Sequence, residues 1–172
     1  MSFDNPYAAP EADLTVIKEV ESDGELATRS TRLGAAIVDS LIGIVYAMPI
    51  TYLLGTWNYI SQGLTPPIGL SLTATALGFL AFLLIHGSFL KANGQTIGKK
   101  LAGIRIADLN GNVPDLGTLI LRRYLPISIV ASIPLLGAYL PIGDVLFIFR
   151  KDRRCVHDLI AGTKVVLNQK QR

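Results

Sequence analysis

Three ionisable residues lie inside long apolar stretches of the sequence, namely Asp39, His86 and Asp144. A carboxylate at the centre of a membrane-spanning helix costs about 2.5–3.5 kcal/mol, so it normally faces a protein interior or a water-filled cavity. Such buried carboxylates bind and release protons, and buried Asp and His groups mark proton pathways in membranes. The three residues therefore indicate either an ion site or a set of ion pairs that fixes helix packing.

Two arginines near the expected cytoplasmic ends of these stretches are the candidate partners. Arg32 precedes Asp39 by seven residues, or two helical turns, and Arg122 lies near the start of a later apolar stretch. The pattern predicts that Asp39, Asp144 and His86 lie at similar depth, with Arg32 and Arg122 as their cationic partners. Two interpretations stay open. One is transport of an ion or small solute, with a monovalent cation or a proton as candidates, and the other is a non-transporting membrane scaffold or interaction module in which the layer of ion pairs is structural.

Two long apolar stretches must position these residues, over 28–54 and 68–90. Each is long enough for a membrane-spanning helix, which needs about 20 apolar residues. No Lys or Arg occurs over 33–90, whereas Arg32 and Lys91 flank that interval. Because basic residues favour the cytoplasmic side, the sequence predicts an amino terminus in the cytoplasm and a hairpin through the membrane.

The third apolar stretch, over 117–149, is interrupted by Pro and Gly residues. One interpretation is a hairpin of two short helices, about 119–133 and 136–149, each short enough to be re-entrant. The alternative is a shallow interfacial helix over 117–126 followed by a single crossing. The basic segment that follows favours the hairpin, since the hairpin returns this segment to the cytoplasm.

Two short segments outside the apolar stretches read as strands, over 101–109 and 164–167. If both lie on the cytoplasmic side, they can pair as a small sheet. The predicted fold class is therefore an all-α membrane protein, a small helical bundle of about four membrane segments with a small cytoplasmic β-sheet. Both termini are expected in the cytoplasm of a bacterial cell, at the inner membrane.

Charge divides the chain into three regions, 1–27, 28–167 and 168–172. Seven acids and one base occur before Arg29, whereas fifteen bases and six acids follow from there on. The first region predicts a disordered acidic cytoplasmic tail, the second a membrane domain and the third a basic tail. The basic residues beside the apolar stretches predict a surface that binds anionic lipids of the inner leaflet. This lipid-binding surface consists of Lys99, Lys100, Arg105, Arg150, Lys151, Arg153 and Arg154.

Other classes of function have little support in the sequence. No order of residues matches a catalytic set, no nucleic-acid-binding motif accompanies the basic residues, and no cofactor is expected. Cys155, beside Arg154, is a candidate for a lowered thiol pKa. His86, His157, Cys155 and scattered carboxylates offer too few ligands to predict a metal site.

Three motifs in order resemble the RDD family of bacterial membrane proteins: TRLGAAIVDSLI, GQTIGKKLAGIRIADLNG and RRCVHDLIAGTKVV. The resemblance covers about 29–167. The family is named for one arginine and two aspartates, and Arg32 and Asp39 match the first two positions. Asp158 best matches the second aspartate, and Asp144 is the competing assignment.

The resemblance implies an integral inner-membrane protein. The molecular role of the family is poorly defined; transport has been suspected, and sodium–proton antiport is attributed to some members. If Asp158 is the family aspartate, it lies at the cytoplasmic edge, where it can cap a short helix or pair with Arg32, Lys99 or Arg105. Either alternative favours a structural clasp between the tail and the first span. A transporter this short would need an oligomer, and small residues that recur every four positions offer one seam. That stripe is Ala35, Asp39, Gly43 and Ala47.

Overall fold

The structure is a computed structural model that describes residues 24–133 and 136–168. It is mostly helical, with one small antiparallel sheet. Residues 1–23 of the predicted acidic tail and 169–172 of the predicted basic tail lie outside the described residues.

The helices fall into two long ones, a broken third stretch and several short connecting helices. The first five elements are α1 (Arg29–Leu53), α2 (Thr56–Ser61), α3 (Ile68–Asn93), α4 (Ile97–Leu101) and strand β1 (Ile104–Asp108). The third stretch contains α5 (Leu116–Thr118), a π-helical segment (Leu119–Tyr124), α6 (Leu125–Ala131), α7 (Leu136–Leu146) and a 3₁₀ turn (Phe147–Phe149). The last two elements are α8 (Val156–Ala161) and strand β2 (Thr163–Leu167).

Helices α1 and α3 are long and apolar enough to cross a membrane, and they pack against each other. The Thr28 hydroxyl caps α1 by accepting a hydrogen bond from the Thr31 backbone N–H. Helix α3 ends at Gly94, whose left-handed φ of 63° is a common way to stop a helix. Their apolar side chains are largely exposed; Val45 is 74% and Leu84 is 77% exposed. Exposed apolar faces of this length suit contact with lipid.

The third stretch has the hairpin form but not the length of two full crossings. The continuous helix over 116–131 and the 11 residues of α7 are both shorter than the approximately 20 residues that a span requires. Helix α6 packs against α7 and α3. Gly137 lies so close to the Ala131 carbonyl that a Cβ there has no room. The expected helix bounds, 119–133 and 136–149, therefore approximate the observed ones.

The predicted pairing of two distant strands is confirmed. β1 and β2 pair antiparallel, from Ile104 opposite Leu167 to Asp108 opposite Thr163. The predicted start of the first strand at residue 101 is wrong, because 97–101 forms α4. Gly103, with φ of 66°, reverses the chain between that helix and β1.

The sheet also holds the chain that precedes α1. Leu26 forms a β-bridge with Val166, and the Ala27 N–H donates to the Val165 carbonyl at 3.0 Å. Ala27 is completely buried. The last residues of the region predicted as a tail, 24–27, are therefore packed against β2, and the sheet is anchored at the start of α1.

Two small apolar clusters join the sheet to the helices. Ala35 of α1 packs with Ile104 and Val165 of the sheet. Leu90 of α3 and Leu119 of the π-helical segment pack with Ile106. β1 thus lies against the ends of three helical segments, and this region positions the ionisable side chains.

Candidate functional site

Asp158 is the centre of the buried charges. It is the third residue of the short helix α8, and its Oδ2 accepts the Cys155 backbone N–H at 3.0 Å, which caps that helix. The side chain is completely buried. A buried carboxylate requires partners, since an unpaired charge in the interior is very costly.

Two arginines from distant parts of the chain supply those partners. Arg32 Nη2 of α1 donates to Asp158 Oδ2 at 2.6 Å, and Arg123 Nη1 of the π-helical segment contacts Oδ1. Arg123 also donates to the Thr163 hydroxyl. The Arg153 carbonyl accepts from Arg32, and Arg153 adopts a left-handed φ of 52° that is uncommon outside glycine. We call Arg32, Arg123 and Asp158 the clasp.

Electrostatics in the clasp favour the ionised carboxylate. Burial by itself raises the pKa of Asp158, but the charges of Arg123, His157 and Arg32 outweigh it and hold that pKa well below its usual range. The clasp fixes α1, the π-helical segment and α8 to one carboxylate. The predicted pairing of Arg32 with Asp158 is present.

Arg122 is exposed, so the sequence-based choice of this arginine as the buried partner is wrong. The buried arginine is its neighbour Arg123, at 1% exposure. Both occur in the π-helical segment, where hydrogen bonds skip one more residue per turn than in an α-helix. A turn of this kind rotates the residues that follow it, and the depth argument from sequence assumed regular α-helical spacing.

Asp39 belongs to a second cluster and does not pair with Arg32. Its Oδ2 accepts from the Thr96 hydroxyl at 2.5 Å, and its Oδ1 accepts from the Gly98 N–H at 2.8 Å. Lys99 Nζ lies 3.7 Å from Oδ2. Asp39 therefore holds the first turn of α4 against α1, and the expectation of an arginine partner is wrong.

Gly98 makes this approach possible. A Cβ at this position would clash with the Ala35 carbonyl and would lie 2.8 Å from Asp39 Oδ1. Ala35 is also buried, at 1% exposure. Helix α4 of the same chain thus covers Ala35 and Asp39 of the predicted small-residue stripe. The other two members, Gly43 and Ala47, are half-buried, and Ala47 lines a cavity.

His86 also contacts α4. Its Nδ1 accepts the Ile97 N–H at 3.2 Å, its ring lies 4.9 Å from the Phe82 ring, and it is 1% exposed. The predicted layer of three ionisable residues with two arginines is therefore divided. His86 and Asp39 hold α4, whereas Asp144 joins the clasp region.

Asp144 of α7 pairs with His157 of α8. Asp144 Oδ2 lies 2.6 Å from His157 Nδ1, and Asp144 Oδ1 accepts the His157 backbone N–H at 3.1 Å. The other ring nitrogen of His157, Nε2, lies 3.7 Å from Asp158 Oδ1. Burial, followed by the charge of Arg123, lowers the pKa of His157. The expected arginine partner of Asp144 is thus replaced by a histidine that the sequence analysis did not place there.

Cys155 completes this group. Arg32 Nη2 lies 3.4 Å from its Sγ, and the residue is 5% exposed. Burial raises the pKa of the Cys155 thiol to about 11, so the candidate lowering by neighbouring arginine is wrong. Ligand atoms of Asp144, Cys155 and His157 all lie within 4.8 Å of one another. They line a cavity of about 150 Å³ beside the clasp.

The predicted lipid-binding surface is partly committed to internal hydrogen bonds. Arg153 donates to the Leu26 and Ala27 carbonyls, and Arg154 donates to the Thr163 carbonyl at 2.9 Å. Three other members of the predicted surface are exposed, namely Lys100, Arg150 and Lys151. Arg105 donates to the Gly111 carbonyl and Lys99 lies near Asp39.

A sequence model of the RDD family matches residues 26–162, which include the clasp and both other clusters. The chain belongs to the RDD family. This family is membrane-associated, in agreement with the two long apolar helices. In this RDD protein, the junction of the helices with the sheet contains Arg32, Asp39 and Asp158, the better-matching candidate for the family's second aspartate.

Two relatives share recognisable sequence with this RDD protein. It is 32% identical over 134 residues to the uncharacterized protein YckC of Bacillus subtilis, covering 78% of this chain and 80% of that one. It is 31% identical over 98 residues to an uncharacterized protein of Haemophilus influenzae, covering 56% of this chain and 60% of that one. No solved structure matches the chain.

Sequence reasoning missed Arg123, Thr96 and Gly98 as members of these clusters. The sequence did contain a signal for Thr96 and Gly98. Threonine is a common N-cap residue, as Thr96 is for α4, and a glycine such as Gly98 lets two helices approach closely. Nothing in the local sequence distinguishes Arg123 from Arg122.

Proposed function

We propose that this RDD protein is a multi-pass protein of the bacterial inner membrane whose β1, β2 and residues 24–27 lie in the cytoplasm. The pairing of these three segments supports an even number of crossings between them, because they share one side of the helices. Helices α1 and α3 would cross, and the hairpin of α6 and α7 would be re-entrant. Cysteine labelling in intact cells at position 168 tests this, since labelling from outside contradicts it.

We further propose that the RDD domain is a non-catalytic, non-transporting membrane scaffold held together by the clasp. The observation that carries this proposal is the complete burial of the Asp158 carboxylate between two arginines. It accepts a hydrogen bond from Arg32 and forms an ion pair with Arg123. A carboxylate occupied by two guanidinium groups has no free oxygen for a cation. The clasp instead joins three segments that are far apart in the sequence.

The test of the scaffold is Asp158→Asn, with Asp152→Asn as the matched control. Removing one member of a buried ion network leaves other charges unpaired and costs about 3–5 kcal/mol. The pair of Asp152 with Arg150 is exposed and is worth about 0–1 kcal/mol. We expect a large loss of thermal stability in detergent for Asp158→Asn only, and no ion flux in proteoliposomes of the natural protein.

A scaffold of this kind would contact anionic lipid through its exposed bases, Lys100, Arg150 and Lys151. Each base near an anionic surface contributes about 1 kcal/mol. Replacing all three by Gln should weaken co-purification of anionic phospholipid, while the same change at Arg122 should have less effect. Equal retention of anionic lipid by the triple variant would contradict this assignment.

Self-association through Gly43 and Ala47 is a further part of the proposal, and light scattering of the detergent-solubilised protein tests it.

A second candidate function is translocation of a monovalent cation or a proton. It is favoured by two cavities, one lined in part by Tyr124 and the other by the adjacent residue Arg123. One of about 370 Å³ lies between α1, α3 and α6 and is lined in part by Tyr124, and the 150 Å³ cavity is lined by Arg123 and Asp144. The Tyr124 hydroxyl is buried and has no hydrogen-bond partner among the described residues.

Flux in proteoliposomes separates the two candidates. Under the translocation hypothesis, a sodium- or pH-driven flux by the natural protein should disappear in Asp144→Asn while the melting temperature in detergent stays close to the natural value. Asp152→Asn should keep that flux. A natural protein that moves no ion under either gradient supports the scaffold.

A further inference from the structure

The group formed by Asp144, Cys155 and His157 has the donor types and spacing of a metal site. It supplies one carboxylate oxygen, one sulfur and one imidazole nitrogen, all within 4.8 Å of one another. A tetrahedral zinc ion with ligand bonds of about 2.0–2.3 Å holds its ligands about 3.5 Å apart. Closing the group around an ion therefore requires movements of about 1 Å, which side-chain rotations can supply.

The ligand atoms are already oriented by the backbone. Asp144 Oδ1 is held by the His157 N–H, which leaves Oδ2 directed at His157 Nδ1, 2.6 Å away. Cys155 immediately precedes α8, and its own N–H is bound to Asp158 Oδ2 at 3.0 Å. Two of the three ligands are therefore fixed at the beginning of one helix, and the third comes from α7.

The clasp supplies the outer contacts that metal ligands usually require. His157 Nε2 lies 3.7 Å from Asp158 Oδ1, so a ring that binds metal through Nδ1 directs its other N–H at a carboxylate. That arrangement orients metal-binding histidines and raises their basicity. Arg32 Nη2 lies 3.4 Å from Cys155 Sγ and is placed to stabilise a thiolate.

We propose that this RDD protein binds one Zn²⁺ through Asp144 Oδ2, Cys155 Sγ and His157 Nδ1, with water from the adjoining cavity as the fourth ligand. Sulfur and imidazole ligands favour zinc over the harder ions magnesium and calcium. The carboxylate and the thiolate together cancel the double charge of the ion. On binding, the thiol proton is released to solvent, and the imidazole proton moves from Nδ1 to Nε2, where it faces Asp158 Oδ1.

The site goes beyond the scaffold function and does not depend on it. Zinc would join α7 directly to α8, in addition to the two contacts that Asp144 makes with the backbone and the ring of His157. The cavity of about 150 Å³ leaves space for the water ligand and a route for the ion. The expectation of no metal site rested on the small number of candidate ligands in the sequence, whereas the fold brings residue 144 beside 155 and 157.

The test uses the untagged full chain in detergent, stripped with a chelator and titrated with Co²⁺ as the spectroscopic probe and then with Zn²⁺. We expect one ion per chain, tetrahedral cobalt absorption and a sulfur-to-cobalt charge-transfer band. Cys155→Ser should abolish that band, and His157→Gln or Asp144→Asn should weaken binding by at least about 100-fold. Asp152→Asn, an exposed acid nearby, should bind as the natural protein does.

A second measurement needs no variant. Cys155 is the only cysteine, so zinc bound to its sulfur should slow maleimide labelling of the natural protein by at least about 10-fold. The proposal is overturned if labelling is unaffected by saturating Zn²⁺, if the natural protein shows no charge-transfer band, or if Cys155→Ser retains equal cobalt binding. Loss of thermal stability in Asp158→Asn, the test of the scaffold, has no bearing on these three outcomes.

Discussion

Adjacent arginines allow a sharp test of the clasp, because Arg123 is buried in it and Arg122 is exposed. Arg123→Gln removes the contact with Asp158 Oδ1 and the hydrogen bond to Thr163. Loss of one partner from a buried ion network costs about 3–5 kcal/mol. Arg122→Gln removes the same charge one residue earlier and should stay within about 0.5 kcal/mol of the natural protein.

Thermal unfolding in detergent, followed by the fluorescence of the single tryptophan, measures the difference. For a chain of this size each 1 kcal/mol shifts the melting temperature by about 2–4 °C. Arg123→Gln should therefore melt roughly 6–20 °C lower, and Arg122→Gln should melt within about 2 °C of the natural protein. Equal melting temperatures for the two variants would refute the assignment of Arg123 to the clasp.

A double-mutant cycle separates the ion pair from general packing. Combined with Asp158→Asn, the Arg123→Gln change should cost less than it does alone, because the buried carboxylate charge is already gone. The coupling energy should be about 0.5–3 kcal/mol. Additive effects would mean that Arg123 stabilises the protein by filling space and not by its charge.

Three further predictions concern the neighbouring clusters. Gly98→Ala should lower stability by about 1–3 kcal/mol, because the added Cβ collides with α1. Gly34→Ala is the control, since its added Cβ meets no atom within 4 Å, and it should be neutral or stabilising by up to about 1 kcal/mol in the same melting experiment. Asp39→Asn should cost about 1–3 kcal/mol through weaker hydrogen bonds to α4, and faster amide hydrogen exchange at Gly98 should report it. Cys155 in the metal-free protein should react with maleimide at pH 8 at least about 100-fold more slowly than a free thiol, and faster as pH approaches 11, since its pKa is about 11; a rate equal to that of a free thiol would contradict its burial.

Much of the architecture was predictable because it follows from local patterns. Apolar length and flanking bases predicted α1 and α3, and two strand-like segments expected on the same side of the membrane predicted the pairing of β1 with β2. The contact of Arg32 with Asp158 was among the pairings implied by the family resemblance. These features depend on composition within one segment, or on a motif that is recognisable without coordinates.

The composition of the site was less predictable, because it depends on three-dimensional placement. Helical spacing placed Asp39 two turns beyond Arg32 and predicted that arginine as its partner, but the carboxylate contacts α4, which returns from α3 to the face of α1. The choice between Arg122 and Arg123 depends on the π-helical turn, which has no signature in the sequence. The meeting of Asp144 with His157 depends on how α7 packs against α8.

The 126 residues that separate Arg32 from Asp158 impose an order on biosynthesis. In the proposed membrane topology, the counter-ion of Arg32 has not yet been translated when α1 reaches the bilayer. The guanidinium must be accommodated by water or lipid phosphate until α8 emerges, so the nascent hairpin of α1 and α3 is an incomplete folding unit. Final assembly of this protein is consequently a late event, and chains interrupted before Asp158 leave Arg32 and Arg123 without their shared carboxylate.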